Sequence, residues 1–266
     1  MKNLIITGGA SGIGLAIVQQ FLTTNNTKIF IIDLDKVACE KLKRRSDINQ
    51  KLIEFHSVNA ASWDAVAHLF ADFKSRGIIM QYLVNNVADK SKCGLFDENE
   101  ESWDKTIGVS LTSAFILSQQ FIRQIDSHED NRIVNIGSVN SKLISASSPS
   151  YHVAKAGIVG LTNYLSVHAL MAKLPVSVNC LEPGFIVQNR HLERFQSEEN
   201  APYRDLVKFY QPGGAVGTEE DVAKTVNWLC TDAPKYLTGQ TIQLDGAGGL
   251  QEQSWLLGSW GSRDEK

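Results

Sequence analysis

The chain has 266 residues, 43% hydrophobic and 21% charged, with a formal net charge of −3. That composition supports a sizeable core and excludes global disorder, and the slight acidity argues against nucleic acid or an anionic membrane surface as the main partner. No run approaches the ~18 apolar residues of a membrane span, and the apolar N-terminal stretch is too short for a signal peptide, so a soluble, cytoplasmic protein is expected.

Leu4–Thr7 reads as a strand that runs into Thr7-Gly8-Gly9-Ala10-Ser11-Gly12-Ile13-Gly14, after which Ile13, Ile17 and Phe21 mark one face of a helix. A strand feeding a glycine-rich turn into a helix start makes an anion site. Missing side chains let the backbone approach a pyrophosphate, and unpaired N–H groups with the helix dipole favour its charge. Gly8, Ser11, Gly12, Ile13 and Gly14 are therefore candidates to hold a dinucleotide. The next strand, Lys28–Asp33, ends 19 residues past Gly14 on a carboxylate that can accept hydrogen bonds from ribose hydroxyls. It would repel a 2′-phosphate, and no basic residue occupies the turn, so NAD is expected rather than NADP. The other reading of Asp33 is an N-cap for the following helix. The basic run Lys41 to Arg45 reads as the solvated face of that helix.

Further strands are expected at Leu52–Val58, Gln81–Asn85, Arg132–Gly137, Val176–Leu181 and Thr241–Leu244. Helical spacing separates them: Val66, Leu69, Phe70 and Phe73 recur at i, i+3, i+4, i+7, and Val222, Val226, Leu229 and Cys230 at i, i+4, i+7, i+8. This alternation implies right-handed crossovers and one parallel sheet covered on both faces. The fold class is α/β, a single doubly wound, Rossmann-type domain over residues 1–250, with a tail at 251–266. Phe185 to Gly217 breaks the rhythm, being polar, charged and without a strand signal, and reads as a lid insertion. Cys39, Cys93, Cys180 and Cys230 lie far apart, and the six histidines show no ligand spacing, so reduced thiols and no metal are expected.

Ser138 follows the strand Arg132–Gly137, and Tyr151-His152-Val153-Ala154-Lys155 comes 13 residues later. Tyrosine and lysine at i and i+4 share one helix face, which brings the ammonium near the phenol.

Together these residues resemble the short-chain dehydrogenase/reductase family over residues 2–249. The resemblance is carried by Thr7-Gly8-x-x-x-Gly12-x-Gly14, Asp33, Asn85-Asn86, Ser138, Tyr151-x-x-x-Lys155, Pro183-Gly184 and Gly239-Gln240…Asp245-Gly246. It implies hydride transfer between NAD(H) and a secondary alcohol or carbonyl substrate, with Tyr151 as acid–base. A free phenol has a pKa of ~10, and a cation ~4–6 Å away lowers a pKa by ~1–3. Lys155 is expected to supply that charge and also to hold the nicotinamide ribose, while Ser138 bonds the substrate oxygen. The resemblance further places Leu34 and Asn59 by the adenosine, Asn85 against its ribose, Val87 near the cofactor, and Pro183, Gly184 and Ile186 along the nicotinamide.

Several positions depart from the family pattern. Asn-Asn-Ala-Gly is Asn85-Asn86-Val87-Ala88, the adenine-contacting aspartate is Asn59, and the threonine five residues past the proline is Gln188. Asp-Gly-Gly is Asp245-Gly246-Ala247, and the helix asparagine that helps a water connect the lysine to solvent is Ser110. The rival readings are a weakly catalytic nucleotide-binding regulatory protein of the same fold and a sugar epimerase or dehydratase. A dimer or tetramer is expected, with Trp255 to Trp260 buried against another subunit.

Overall fold

The computed structural model describes residues 1–24, 26–89, 91–125 and 130–251, so the tail expected to pack on a second subunit lies outside the described residues. The first half alternates β1 (Lys2–Thr7), α1 (Gly12–Thr24), β2 (Thr27–Ile32), α2 (Lys36–Lys43), β3 (Ile53–His56), α3 (Trp63–Ser75) and β4 (Tyr82–Asn85). Then come α4 (Glu100–Ile107), a π-helical turn at Gly108–Thr112, α5 (Ser113–Arg123), β5 (Asn131–Ile136), the long α6 (Pro149–Met171) and β6 (Val176–Pro183). The chain continues through β7 (Ile186–Val187), α7 (Asn189–Gln196), α8 (Ala201–Phe209), β8 (Gly217–Thr218), α9 (Glu219–Thr231) and β9 (Thr241–Leu244).

Seven parallel strands form one sheet in the order β3-β2-β1-β4-β5-β6-β9. The order reverses between β1 and β4, where an open sheet leaves a crevice at its carboxyl edge. Each central strand is apolar on both faces because both are covered. Leu4, Ile6, Ile29, Ile31, Val134 and Ile136 join the core beneath α1 and α9. Their neighbours Ile5, Phe30, Ile32 and Ile133 join the core beneath α3, α5 and α6. The expected helical stripes do the covering: Val66, Leu69, Phe70 and Phe73 from α3, and Val222, Val226, Leu229 and Cys230 from α9.

The segment read as free of strands contains a short pair. Ile186–Val187 runs parallel to Gly217–Thr218 and pinches the base of the insertion that carries α7 and α8. Two residues on each side are too few to show a period.

A buried polar chain crosses the α5–α6 side of the sheet. Asn85 Nδ2 donates to Ser118 Oγ at 3.1 Å and to Asn135 Oδ1 at 2.7 Å, and Asn135 Nδ2 donates to Thr162 Oγ1 at 2.9 Å. It fixes β4 and β5 against α5 and α6, the helix that carries Tyr151. Stranding one such partner in a dry site costs ~1–3 kcal/mol per group. Asn135→Ala is therefore expected to lower the unfolding free energy by about 2 kcal/mol or more, read from the urea midpoint at unchanged slope.

Candidate active site

The glycine turn closes on itself. Gly8 and Gly12 take left-handed φ values of +65° and +55°. At Gly14 a Cβ would lie 2.0 Å from the Gly8 carbonyl oxygen and 2.7 Å from Asn86 Nδ2. Asn86 Nδ2 in turn donates to the carbonyls of Thr7 and Gly8 at 3.0 and 3.2 Å, while Thr7 Oγ1 accepts from the Asn86 and Val87 N–H groups at 2.9 and 3.0 Å. The turn is thus bound to the end of β4 across the crevice.

Asp33 is fixed over this turn. One carboxylate oxygen accepts the Ala10 N–H at 3.1 Å and the other the Asp35 N–H at 3.0 Å. The cap of α2 is Asp35, whose Oδ1 accepts from Ala38 N at 2.9 Å, so Asp33 is not spent on capping. The basic run beyond it is a solvated face, with Arg45 paired to Asp47 and Lys43 to Glu40.

At the other end of the crevice, α6 presents Tyr151 and Lys155 along its core-facing stripe. Lys155, Ile158, Thr162, Leu165 and Ala169 are buried at helical spacing, and Tyr151 begins the same stripe one turn earlier. Two devices set the start of α6. Ser148 caps it through the Tyr151 N–H at 3.3 Å, and Glu98 accepts the Ser150 N–H at 3.0 Å and the Ser150 hydroxyl. His152 is structural, its Nε2 accepting the Ser145 N–H at 3.0 Å.

Lys155 is 2% exposed, and its ammonium donates to the Ile136 carbonyl at 2.7 Å, with Nζ 5.7 Å from the Tyr151 ring centre. Ser138 starts a single helical turn, its Oγ accepting the Asn140 N–H at 3.2 Å, and its hydroxyl lies close enough to the Tyr151 phenol to favour the phenolate. That turn is held from below by the fully buried Glu182, which accepts the Ser141 hydroxyl and lies 3.6 Å from Lys142 Nζ. The phenol is pushed above its ordinary value, because burial, the larger cause, outweighs the lowering by Ser138.

Gly8, Ser11, Gly12, Ile13, Gly14, Asp33, Val87, Ser138, Tyr151, Lys155, Pro183, Gly184 and Ile186 line one cleft of about 410 Å³. Leu34 and Asn59 line an adjoining hollow of about 110 Å³ that shares Gly8, Asp33 and Val87 with it. Two expected residues stand elsewhere. The Asn85 side chain points into the polar chain behind β4, and it is Asn86, one residue on, that lines the cleft. Ser110 is 2% exposed, absent from the cleft wall, and its Oγ accepts the Asp89 N–H at 3.0 Å. It holds the loop after β4. Asp89 is also bonded by Thr106 and approached by Lys105 at 3.4 Å.

Sequence reasoning missed Gln188 and Arg190 as cleft residues. The buried Gln188 Oε1 has no hydrogen-bond partner and would lie 3.6 Å from a Cβ at Gly12. At the departure Asp245-Gly246-Ala247, Ala247 takes φ +64°, and Asp245 accepts the Ala247 and Gly249 N–H groups at 3.0 and 2.9 Å.

A doubly wound parallel sheet with a glycine turn at one end of its crevice and a serine–tyrosine–lysine cluster at the other defines an oxidoreductase that uses a nicotinamide cofactor. The family model described as enoyl-(acyl carrier protein) reductase matches residues 8–249, and the chain belongs to the short-chain dehydrogenase/reductase family. It is 29% identical over 249 residues to a 3-oxoacyl-[acyl-carrier-protein] reductase, FabG, of Chlamydia pneumoniae, covering 92% of this chain and 96% of that protein. It is 28% identical over 257 residues to the "probable galactose dehydrogenase GalD" of Rhizobium meliloti, covering 92% and 94%. A solved structure of ElxO with NADP bound superposes with a TM-score of 0.83 at 23% identity, over 94% of this chain and 99% of that one, a likeness of fold.

The crowding at Gly14 excludes a side chain there, so the start of α1 closes directly on the turn backbone, an arrangement that suits a pyrophosphate. Gly14→Ala is expected to abolish NADH binding, seen as loss of the fluorescence change on titration. It should also lower the melting temperature, because the new methyl meets backbone.

Proposed function

We propose that this enzyme transfers hydride between NAD(H) and a secondary alcohol or its carbonyl counterpart, with Tyr151 as acid–base. The observation that carries the reading is the meeting of Ser138, Tyr151 and Lys155 on one wall of the cleft whose far end is the glycine turn and Asp33. The backbone of Gly8 to Gly14 would hold the pyrophosphate, the Asp33 carboxylate the adenosine ribose, and Leu34 and Asn59 the adenine side. Lys155 would hold the nicotinamide ribose, with Pro183, Gly184 and Ile186 along the ring. When bound, the nicotinamide supplies a hydride acceptor or donor and, oxidised, a positive charge.

The rest belongs to the chain's own groups. In oxidation Tyr151 Oη takes the proton of the substrate hydroxyl, and in reduction it returns a proton to the carbonyl oxygen. Ser138 bonds the same oxygen and steadies the phenolate. Lys155, anchored on the Ile136 carbonyl, keeps a positive charge beside the phenol ring. Ser110 acts by clamping the loop after β4.

Tyr151→Phe is expected to lower kcat by ~10²–10⁴ or more while leaving NADH affinity within a few-fold. Because burial raises the phenol pKa, oxidation should speed up as pH rises toward the phenol's titration, and reduction should slow over the same range. Residual activity of the variant without either limb supports the assignment; a variant as fast as the parent refutes it.

The carboxylate at Asp33, with both oxygens held by backbone N–H groups and no arginine beside it in the cleft or hollow except Arg190, motivates the cofactor preference. NAD is expected to bind at least ~10-fold tighter than NADP, ~1.4 kcal/mol, by calorimetry. Asp33→Ser should narrow that gap, and equal affinities in the parent would defeat the preference.

A further inference from the structure

Beyond the catalytic cleft lies a chamber of about 720 Å³ under the insertion, joined to the cleft through Ile186, Gln188 and Arg190, which line both. Its floor is aromatic. Phe185 packs on Phe195 and Tyr203 with ring centres 6.3 and 6.4 Å apart, which fixes α7 against α8. Arg204 adds a latch from its guanidinium to the carbonyls of Phe195 and Ser197 at 3.2 and 3.0 Å.

The rim is cationic. Arg190 and Arg194 come from α7, and Lys92 from the loop after β4 on the opposite side. No carboxylate among the described residues lines the chamber. Among the described residues, none of these three side chains is within ion-pair distance of an acid. The arrangement is unfavourable by itself. Arginines at i and i+4 on a helix repel each other, and α7 has no acid in its first turn to offset Arg190 at the positive end of the helix dipole. The exposed Glu193, one turn on, forms no ion pair with either arginine among the described residues. A bound anion would relieve both repulsions. In a chain of net charge −3, three cations lining the mouth of the active cleft with no acid paired to them among the described residues are a local reversal of sign.

We propose that the substrate carries an anionic group, a carboxylate or a phosphate, which Arg194 and Lys92 hold in this chamber, with Arg190 at the junction, while its hydroxyl or carbonyl carbon lies at Tyr151. Guanidinium and ammonium groups donate charge-assisted hydrogen bonds that suit either oxyanion. The inference rests on the reading of Tyr151 as the acid–base and adds the substrate class to it.

The test uses the full chain with NADH present. Calorimetry and thermal shift are run with paired probes, each anion against its neutral counterpart. Gluconate and glucose 6-phosphate are set against glucose, glycerol 3-phosphate against glycerol, and 3-hydroxybutyrate against butan-2-ol. At least one anion is expected to bind tenfold or more tightly than its partner, and the two chemical types separate carboxylate from phosphate. Lys92→Gln with Arg194→Gln should erase that preference, leaving the neutral partner and NADH affinity within twofold. Tyr151→Phe should keep the preference while losing turnover, so failure of the catalytic reading shows separately. No anion preferred over its neutral partner, or a double variant that weakens NADH instead, overturns the proposal.

Discussion

The buried Lys155 ammonium on the Ile136 carbonyl is the contact on which the site depends. A cation with 2% exposure is tolerable only when its donors are used. Here the acceptor is the last carbonyl of β5, so the helix stripe and the strand end are fixed to one another at the point where Ser138 leaves the sheet. Tyr151 lies one turn before that anchor and Ser138 two residues after the carbonyl. The separation of phenol and hydroxyl is therefore set by backbone geometry rather than by two independent side chains.

Acids placed behind the cleft reinforce the same geometry. Glu182 lies beneath the turn that starts at Ser138, and Glu98 at the start of the helix that carries Tyr151. Each accepts a serine hydroxyl next to the segment that carries Ser138 or Tyr151. Asp33 accepts two N–H groups at the opposite end. In all three cases a carboxylate that accepts donors from a loop freezes a segment that would otherwise cost conformational entropy on every binding event. The face toward the substrate is left to neutral and basic groups.

The sheet was legible because burial on both faces writes itself as continuous β-branched runs, and the helices because a covering stripe has its own period. All seven sheet strands fall where those runs lie. The two-residue pair β7–β8 left no such trace, because bridging needs backbone only. The glycine turn and the Tyr151/Lys155 pair were readable since spacing alone determines their geometry. Asn85 was not. At a strand end side chains alternate faces, so of two adjacent asparagines one enters the core and the other the crevice, and it is the Asn86 side chain that reaches the cleft wall. Ser110 shows a related limit, since a hydroxyl at a buried helix position takes whichever backbone donor the local π-turn brings to it, here Asp89 N–H.

The relatives' names span an acyl-carrier-protein reductase and a galactose dehydrogenase at nearly equal identity, so overall similarity does not rank substrates. On the proposed reading the sheet and its crevice serve the cofactor and the proton, whose demands do not change with the substrate. α7 and α8 hang from the sheet through the short β7–β8 pair and an aromatic cluster of their own, and they make few demands on the core. Charge on that insertion can therefore change without disturbing Lys155, Ser138 or the glycine turn. Of the charges there, Arg190 alone lines both the chamber and the cleft, which makes it the one position where a change in substrate preference must also be felt beside the cofactor.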